Sequence, residues 1–399
     1  MEMRDRSRLP LWIGVGIAST FVLVLLVLLF FTQTRTGRGI VLDFTVGALQ
    51  GTLDGEIQVE RLRGNLIRGA TLEGVRITGP GEGEHFLTAD SGRVAYSLRS
   101  FILGRVVLRE VVLHRPVVDL VRKPGEEFWN FQIIFGDTIP DPDVEPRATF
   151  IDYVEIHDGD IRMVVPWEPD PDRDPAARQA EIEEALDPES RIVVEEIPEG
   201  LVRIMRFSGV NAAFHDIQLA PDELGGSYFA VERLAADIHV WREPARVRHL
   251  RGELAMFGDG LEFDAPEIIL PSSWIQGYGN IQFGDEGRID VTLSSDSVAL
   301  ADLQWLYPNF PDEGGGALVL HIETRPEGVL YFAREADVSL PGTRLVGQFG
   351  VLLNESLQFV EPDLVADPLR ISTIEGFLPQ ELPVTDLRIR RAEAVTVGN

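Results

Sequence analysis

The sequence predicts a mainly β protein behind a single N-terminal transmembrane helix, and three observations carry that prediction. Leu11 to Phe31 is a run of 21 residues without a charge, a proline or a strongly polar side chain. Beyond Leu53, apolar residues alternate with charged ones in stretch after stretch, separated by turn residues at hairpin distance. Helical spacing is confined to a few short segments.

A helix of that length measures roughly 31 Å, the hydrocarbon thickness of a bilayer. Arg4, Arg6 and Arg8 precede it, and Arg35 and Arg38 follow it. A short basic head before a first apolar segment stays cytoplasmic, and a long domain behind it is translocated largely regardless of its charge. The competing reading is a cleaved signal peptide, whose apolar core is shorter. Phe30-Phe31-Thr32-Gln33-Thr34 also offers no small-x-small cleavage site. Residues 1–35 are therefore expected to be a cytoplasmic tip and an uncleaved single-pass anchor.

Composition bounds the remainder. The chain has 399 residues, 44% of them hydrophobic, and a net charge of -28. So acidic a surface argues against nucleic acid as a partner, because phosphates need cations to neutralise them. Arg388, Arg390 and Arg391 form a basic cluster, read as a solvated strand face. The chain has no cysteine, which excludes disulfides, thiolate chemistry and cysteine-based zinc sites.

Residues 36–136 open with Arg38 to Leu49, spaced for either a short amphipathic helix or a first strand. Ile57 and Val59 then alternate with charged residues, and Gly64, Gly69 and Gly74 punctuate brief apolar pairs. Phe86 to Leu98 continues the pattern, Leu98 to Leu103 suits one helical turn, and Val106 to Leu113 and Pro116 to Val121 are two β-branched runs. Several of these positions form an ordered series: Gly64, Asn65, Leu66, Gly69, Leu72, Val75 and Ile77, then Tyr96, Ser97 and Leu98, then Arg115, Pro116, Val118 and Leu120, then Trp129 and Asn130.

In that order, behind an N-terminal anchor, the series resembles the N-terminal module of the AsmA/TamB-like family of bacterial envelope proteins. The resemblance covers residues 1 to about 135, and the later strands only in general style. It implies an inner-membrane anchored, periplasmic protein whose long β-sheet curls into an apolar groove and passes phospholipid toward the outer membrane. Family members are also linked to assembly of outer-membrane β-barrel proteins. They usually run longer and end in a C-terminal domain, so residues 201–399 are expected to be a continuing groove, and the chain a fragment, a truncated reading frame or a short relative.

Residues 137–200 break the β pattern. They hold 20 acidic residues against 5 arginines, with many prolines, and read as a surface excursion. One strand is expected near Phe150 to Val165 and one helix near Pro175 to Leu186. Asp170, Asp172, Asp174 and Glu181 stand at the spacing of a calcium loop, but Pro175 occupies the position where that loop needs glycine for its turn. A solvated acidic loop is the preferred reading, with no metal and no cofactor expected.

From Gly200 the strands resume. Ile238, Leu254, Val291, Leu320 and Phe349 each belong to an alternating run with one apolar face. Phe257-Gly258-Asp259-Gly260 and Gly284-Asp285-Glu286-Gly287 separate neighbours, favouring antiparallel meanders. One short helix is expected at Ala301 to Tyr307, before Pro308.

An apolar face must be covered. Helices are too few here, so the sheet either packs on itself as a sandwich or barrel, or curls into a gutter lined by something other than protein. Acyl chains would serve, at about 0.8 kcal/mol per buried methylene. Periodicity leaves the two open, and the resemblance selects the gutter. The expected lining is then Ile57, Val59, Leu108, Val118, Leu120, Ile238, Leu254, Val291, Leu320 and Phe349. No hydrolase elbow, phosphate loop, zinc helix or dinucleotide fingerprint occurs. The histidines are scattered, with His239 and His249 spaced to meet across adjacent strands. A binding protein rather than an enzyme is expected. Its alternative role is that of a scaffold capturing strands of a client outer-membrane β-barrel at an open sheet edge.

Overall fold

The computed structural model describes residues 55–63, 69–79, 85–96, 108–134, 149–171, 173–219, 226–257, 260–282, 287–306, 308–353, 357–367, 369–370, 388–389 and 392–395. The apolar run 11–31, the motif positions Gly64, Asn65, Leu66, Ser97 and Leu98, and Asp172 lie outside them. Among the described residues no helix is long and apolar enough to cross a membrane.

The fold is mainly β, one large and highly curved sheet with few helices. It opens with β1 (Glu56–Arg63), β2 (Ala70–Thr78) and β3 (His85–Tyr96) as an antiparallel meander. β4 (Leu108–His114) and β5 (Val117–Val121) follow, then a short helix α1 (Asn130–Ile134) and the long strand β6 (Thr149–Pro166). Helix α2 (Pro175–Leu186) and β7 (Val194–Ile197) lead into β8 (Gly200–Leu219). The run continues as β9 (Ser227–His239), β10 (Ala245–Phe257), β11 (Gly260–Ile269), β12 (Trp274–Gln282) and β13 (Arg288–Ala299). After a 3-10 turn (Leu300–Leu303) come β14 (Gly315–Arg325), β15 (Gly328–Leu340), β16 (Thr343–Leu353) and β17 (Leu357–Ala366). β18 (Leu369–Arg370) and β19 (Arg388–Ile389) pair apart, and β20 (Ala392–Val395) lies beside β17.

From β8 to β17 each strand pairs antiparallel with the next, as the hairpin spacing predicts. The N-terminal part departs from an all-antiparallel meander, because β4 and β5 both run parallel to β6. A parallel partner needs a long return, and β5 and β6 are well separated in the chain, at Val121 and Thr149. The two runs expected are present as β4 and β5, and they keep one constant offset against β6 on either side of Arg115-Pro116. The acidic segment 137–200 is likewise more than an excursion, since its strand β6 is internal, between β4/β5 and β8. The 3-10 turn at Leu300 is shorter than the helix expected at 301–307.

Curvature has a local cause. The register slips between β6 and β8 and in each successive pairing from β8 with β9 to β16 with β17; most slips fall within the strands, and that of β12 with β13 falls at the Trp274 end. Such bulges bend a strand and increase its twist. Asp158, Glu335 and Glu361 sit in them with φ of 52°, 52° and 48°. Pro266 and Pro362 lie at bulges too, the positions where an internal strand tolerates a residue without an N–H. The bulges form a crease across the sheet.

Candidate functional site

Residues paired across strands share a face of the sheet. Followed strand to strand, the register lines up Ile57, Ile77, Leu87, Val118, Ile161, Phe207 and Ile238 in one row. A second row runs Leu113, Ile156, Ala212, Leu234, Leu250, Ile268 and Ile275. A third joins Phe229, Leu254, Phe263, Gly279, Val291, Ile322, Tyr331 and Val351. A fourth joins Gly277, Leu293, Leu320, Ala333 and Phe349.

These rows share one face. Ile156, Leu234, Ile161, Phe207 and Ile238 all pack around Val210, Ala212 and Ala236, which unites the first two. Leu250 and Leu254 occupy the shielded positions of β10, with Arg251 and Glu253 exposed between them, which adds the third. Val291 and Leu293 alternate on β13 and add the fourth.

Nine of the ten lining residues expected from the sequence lie on this face. Val59 stands opposite Val75 beside Ile57, and Leu120 opposite Met163 beside Val118. The tenth, Leu108, pairs with Ile151, its side chain lying outside the described residues. The aromatic members Phe207, Phe229, Phe263 and Tyr331 were not foreseen, although each continues the alternation of its strand.

The face is shielded, and Val210, Ala212 and Ala236 form a small buried cluster on it. Among the described residues the buried apolar side chains are only Ala, Val, Ile and Leu, and no Phe, Tyr, Trp or Met is among them. A two-layer domain buries its aromatics between layers. Helical cover is scant: α1 packs on β5, α2 on β7, and the 3-10 turn on β10 and β13. The opposite, more polar face holds Arg162 with Asp119, Arg233 with Glu155, Arg251 and His249 with Glu267, and Arg344 with Asp337, and between β5 and β8 it also buries Val164, Val202 and Ile204. Water is excluded enough on the apolar face to push the Tyr331 hydroxyl above its ordinary pKa.

Comparison of the chain with protein-family models, with curated proteins and with solved structures finds no match. What the site can do therefore rests on its own geometry.

The remaining candidates have local roles. Asp174 caps α2, its Oδ1 accepting from the N–H groups of Ala176 and Ala177 at 2.9 and 3.0 Å. Glu181 accepts from the Asp170 N–H at 3.2 Å and lies 3.7 Å from Arg173, so these carboxylates are turned to the helix start and an arginine. Of the family-motif positions, Arg115 has φ 46°, donates its N–H to the His157 carbonyl at 2.8 Å and pairs with Asp90. Pro116 is buried against Gly159. Gly69 precedes β2, and Tyr96 ends β3 opposite Leu108. Trp129 lies under the Arg122 guanidinium, 5.4 Å from ring centre to charge. Asn130 completes the sheet edge: its Oδ1 accepts from the Val121 N–H at 3.0 Å and its Nδ2 donates to the Asp119 carbonyl at 2.7 Å. His239 and His249 do not meet. His239 lies 3.4 Å from Ser208 and His249 lies 3.7 Å from Glu267, because the register sets Leu250 against Leu234. A cavity of about 310 Å³ on the polar face is lined by His321, Arg325, Phe332 and Arg334.

Proposed function

We propose that this protein holds lipid acyl chains on the apolar face of its curved sheet and conducts them along it, as an inner-membrane anchored, periplasmic β-groove of the AsmA/TamB-like kind. The supporting observation is the apolar face itself, continuous over four rows and shielded without any aromatic being buried. A curved sheet with side chains converging on its inner side offers methylene-lined space, and each acyl methylene buried there is worth about 0.8 kcal/mol. The action is desolvation and needs no reacting group.

The test places a photoreactive amino acid at inward or outward positions of the full chain in cells. Inward sites at Val291 and Leu320 are expected to capture phospholipid, and outward sites at Thr292 and His321 are not. Capture from the inward sites should vanish when Leu254 and Leu293 are changed to Asp with the β circular-dichroism signal kept. Equal capture from both faces, or none from either, would remove the lipid reading.

A further inference from the structure

The apolar face ends in two arginines. Alternation along β5 carries Val118 and Leu120 on to Arg122, and the Arg122 N–H donates to the Val164 carbonyl at 3.0 Å, which continues the pairing. Along β8, Phe207 and Met205 carry the same phase to Arg203, which pairs with Val165. Arg122, Val165 and Arg203 are thus neighbours across three adjacent strands. At strand spacings of about 4.8 Å the two arginine backbones stand roughly 10 Å apart, within reach of one anion for side chains of that length.

These two arginines differ from those on the polar face. Neither makes an ion pair among the described residues, whereas Arg162, three residues earlier on the intervening strand β6, reaches Asp119 at 3.6 Å. The Nε atoms of both are buried and have no hydrogen-bond partner. Arg122 lies over the Trp129 ring, and Arg203 donates one Nη2 bond to the Val240 carbonyl at 3.0 Å, leaving the rest of its fork unused. Burial presses the Arg203 pKa below its ordinary value, as expected of a cation without a counter-ion. In a chain of net charge -28, uncompensated cations at the end of an apolar face call for an anion. This is also the end at which the chain enters β1, where Gly55 lies beside Ile134 of α1.

We propose that Arg122 and Arg203 together bind the phosphate of the lipid whose acyl chains occupy the apolar face, fixing it with its headgroup toward the end where residue 55 enters the sheet. The proposal rests on the acyl-chain reading above and adds a headgroup class and an orientation to it. Two guanidinium forks on one phosphate give charge-assisted, two-point recognition.

The full chain held in a neutral amphipol would be titrated with dodecyl phosphate, dodecanol and inorganic phosphate, followed by calorimetry and by tryptophan fluorescence, Trp129 lying beside the site. Dodecyl phosphate is expected to bind at least about tenfold tighter than dodecanol, the scale of charged hydrogen bonds. Arg122→Gln and Arg203→Gln should each remove about that factor for dodecyl phosphate and leave dodecanol unchanged. Arg203→Lys should restore part of it, and Arg162→Gln on the other face should change nothing. Equal binding of dodecyl phosphate and dodecanol overturns the headgroup site and leaves the acyl face standing. Binding of neither dodecyl compound sinks the acyl face itself. Inorganic phosphate binding as tightly as dodecyl phosphate means a free-anion site unconnected with lipid, and also overturns the proposal.

Discussion

At the scale of single residues, the side chains that close the backbone's hydrogen bonds matter as much as the apolar ones. Asn130 supplies an acceptor and a donor to the edge of β5 where no strand continues, so Asn130→Ala leaves Val121 N–H and Asp119 C=O unpaired. The expected cost is about 1–3 kcal/mol, read as a lower urea midpoint at unchanged slope. The sequence placed Asn130 in a motif but gave it no task, because its partners lie nine and eleven residues upstream. Tyr331 yields a pH prediction. Desolvation raises its pKa in the folded chain, so its share of stability is complete below the ordinary tyrosine value and is lost as pH rises through the folded one. Comparing alkaline unfolding of the wild type with Tyr331→Phe checks this, the variant being the less sensitive at high pH.

Among elements, the connection between α2 and β8 is tied to a segment more than a hundred residues away. Arg191 donates from Nη2 to the carbonyls of Trp305 and Leu306 at 3.2 and 2.7 Å, and its guanidinium lies 5.7 Å from the Trp241 ring, which packs on Trp305 at 5.3 Å. Arg242 adds a bond to the Ser190 carbonyl at 2.8 Å. Arg191→Ala is expected to cost about 1–2 kcal/mol and to speed proteolysis within 300–310, while cleavage in the β10 to β12 hairpins stays unchanged. The strands themselves were legible, as was α2, whose Asp174 cap and Pro175 start are local signals. The parallel pairing of β4 and β5 with β6 was not, since a strand's partner is set by contact with segments distant in the chain and not by its own alternation.

Across the whole molecule, the line of bulges sets the shape. At Glu335 the extra residue leaves Arg334 and Glu335 both exposed, with Ala333 and Ala336 buried on either side. Deleting Glu335 therefore restores plain alternation without moving any apolar residue to the wrong face. The variant is expected to fold with its β signal kept and its curvature reduced, seen as a longer maximum dimension in small-angle scattering. Deleting Tyr331 instead shifts one side of the strand to the opposite face, and loss of folding is the expected outcome. The prolines at 266 and 362 were the sequence's one sign of the crease, because an internal strand accepts proline only where the ladder is interrupted.

The sequence by itself determined the β class, the apolar phase of most strands and the position of α2, because side-chain alternation and helix caps are written within a few residues. Val118, Leu120 and Arg122 share one phase and Arg203, Met205 and Phe207 another, but only the pairing with β6 joins the two arginines. Only the tertiary structure decided that these phases belong to one face, that β4 and β5 both run parallel to β6, and that aligned bulges curve the sheet. Each of those depends on register between segments far apart in the chain, which is fixed by pairing and not by any local pattern.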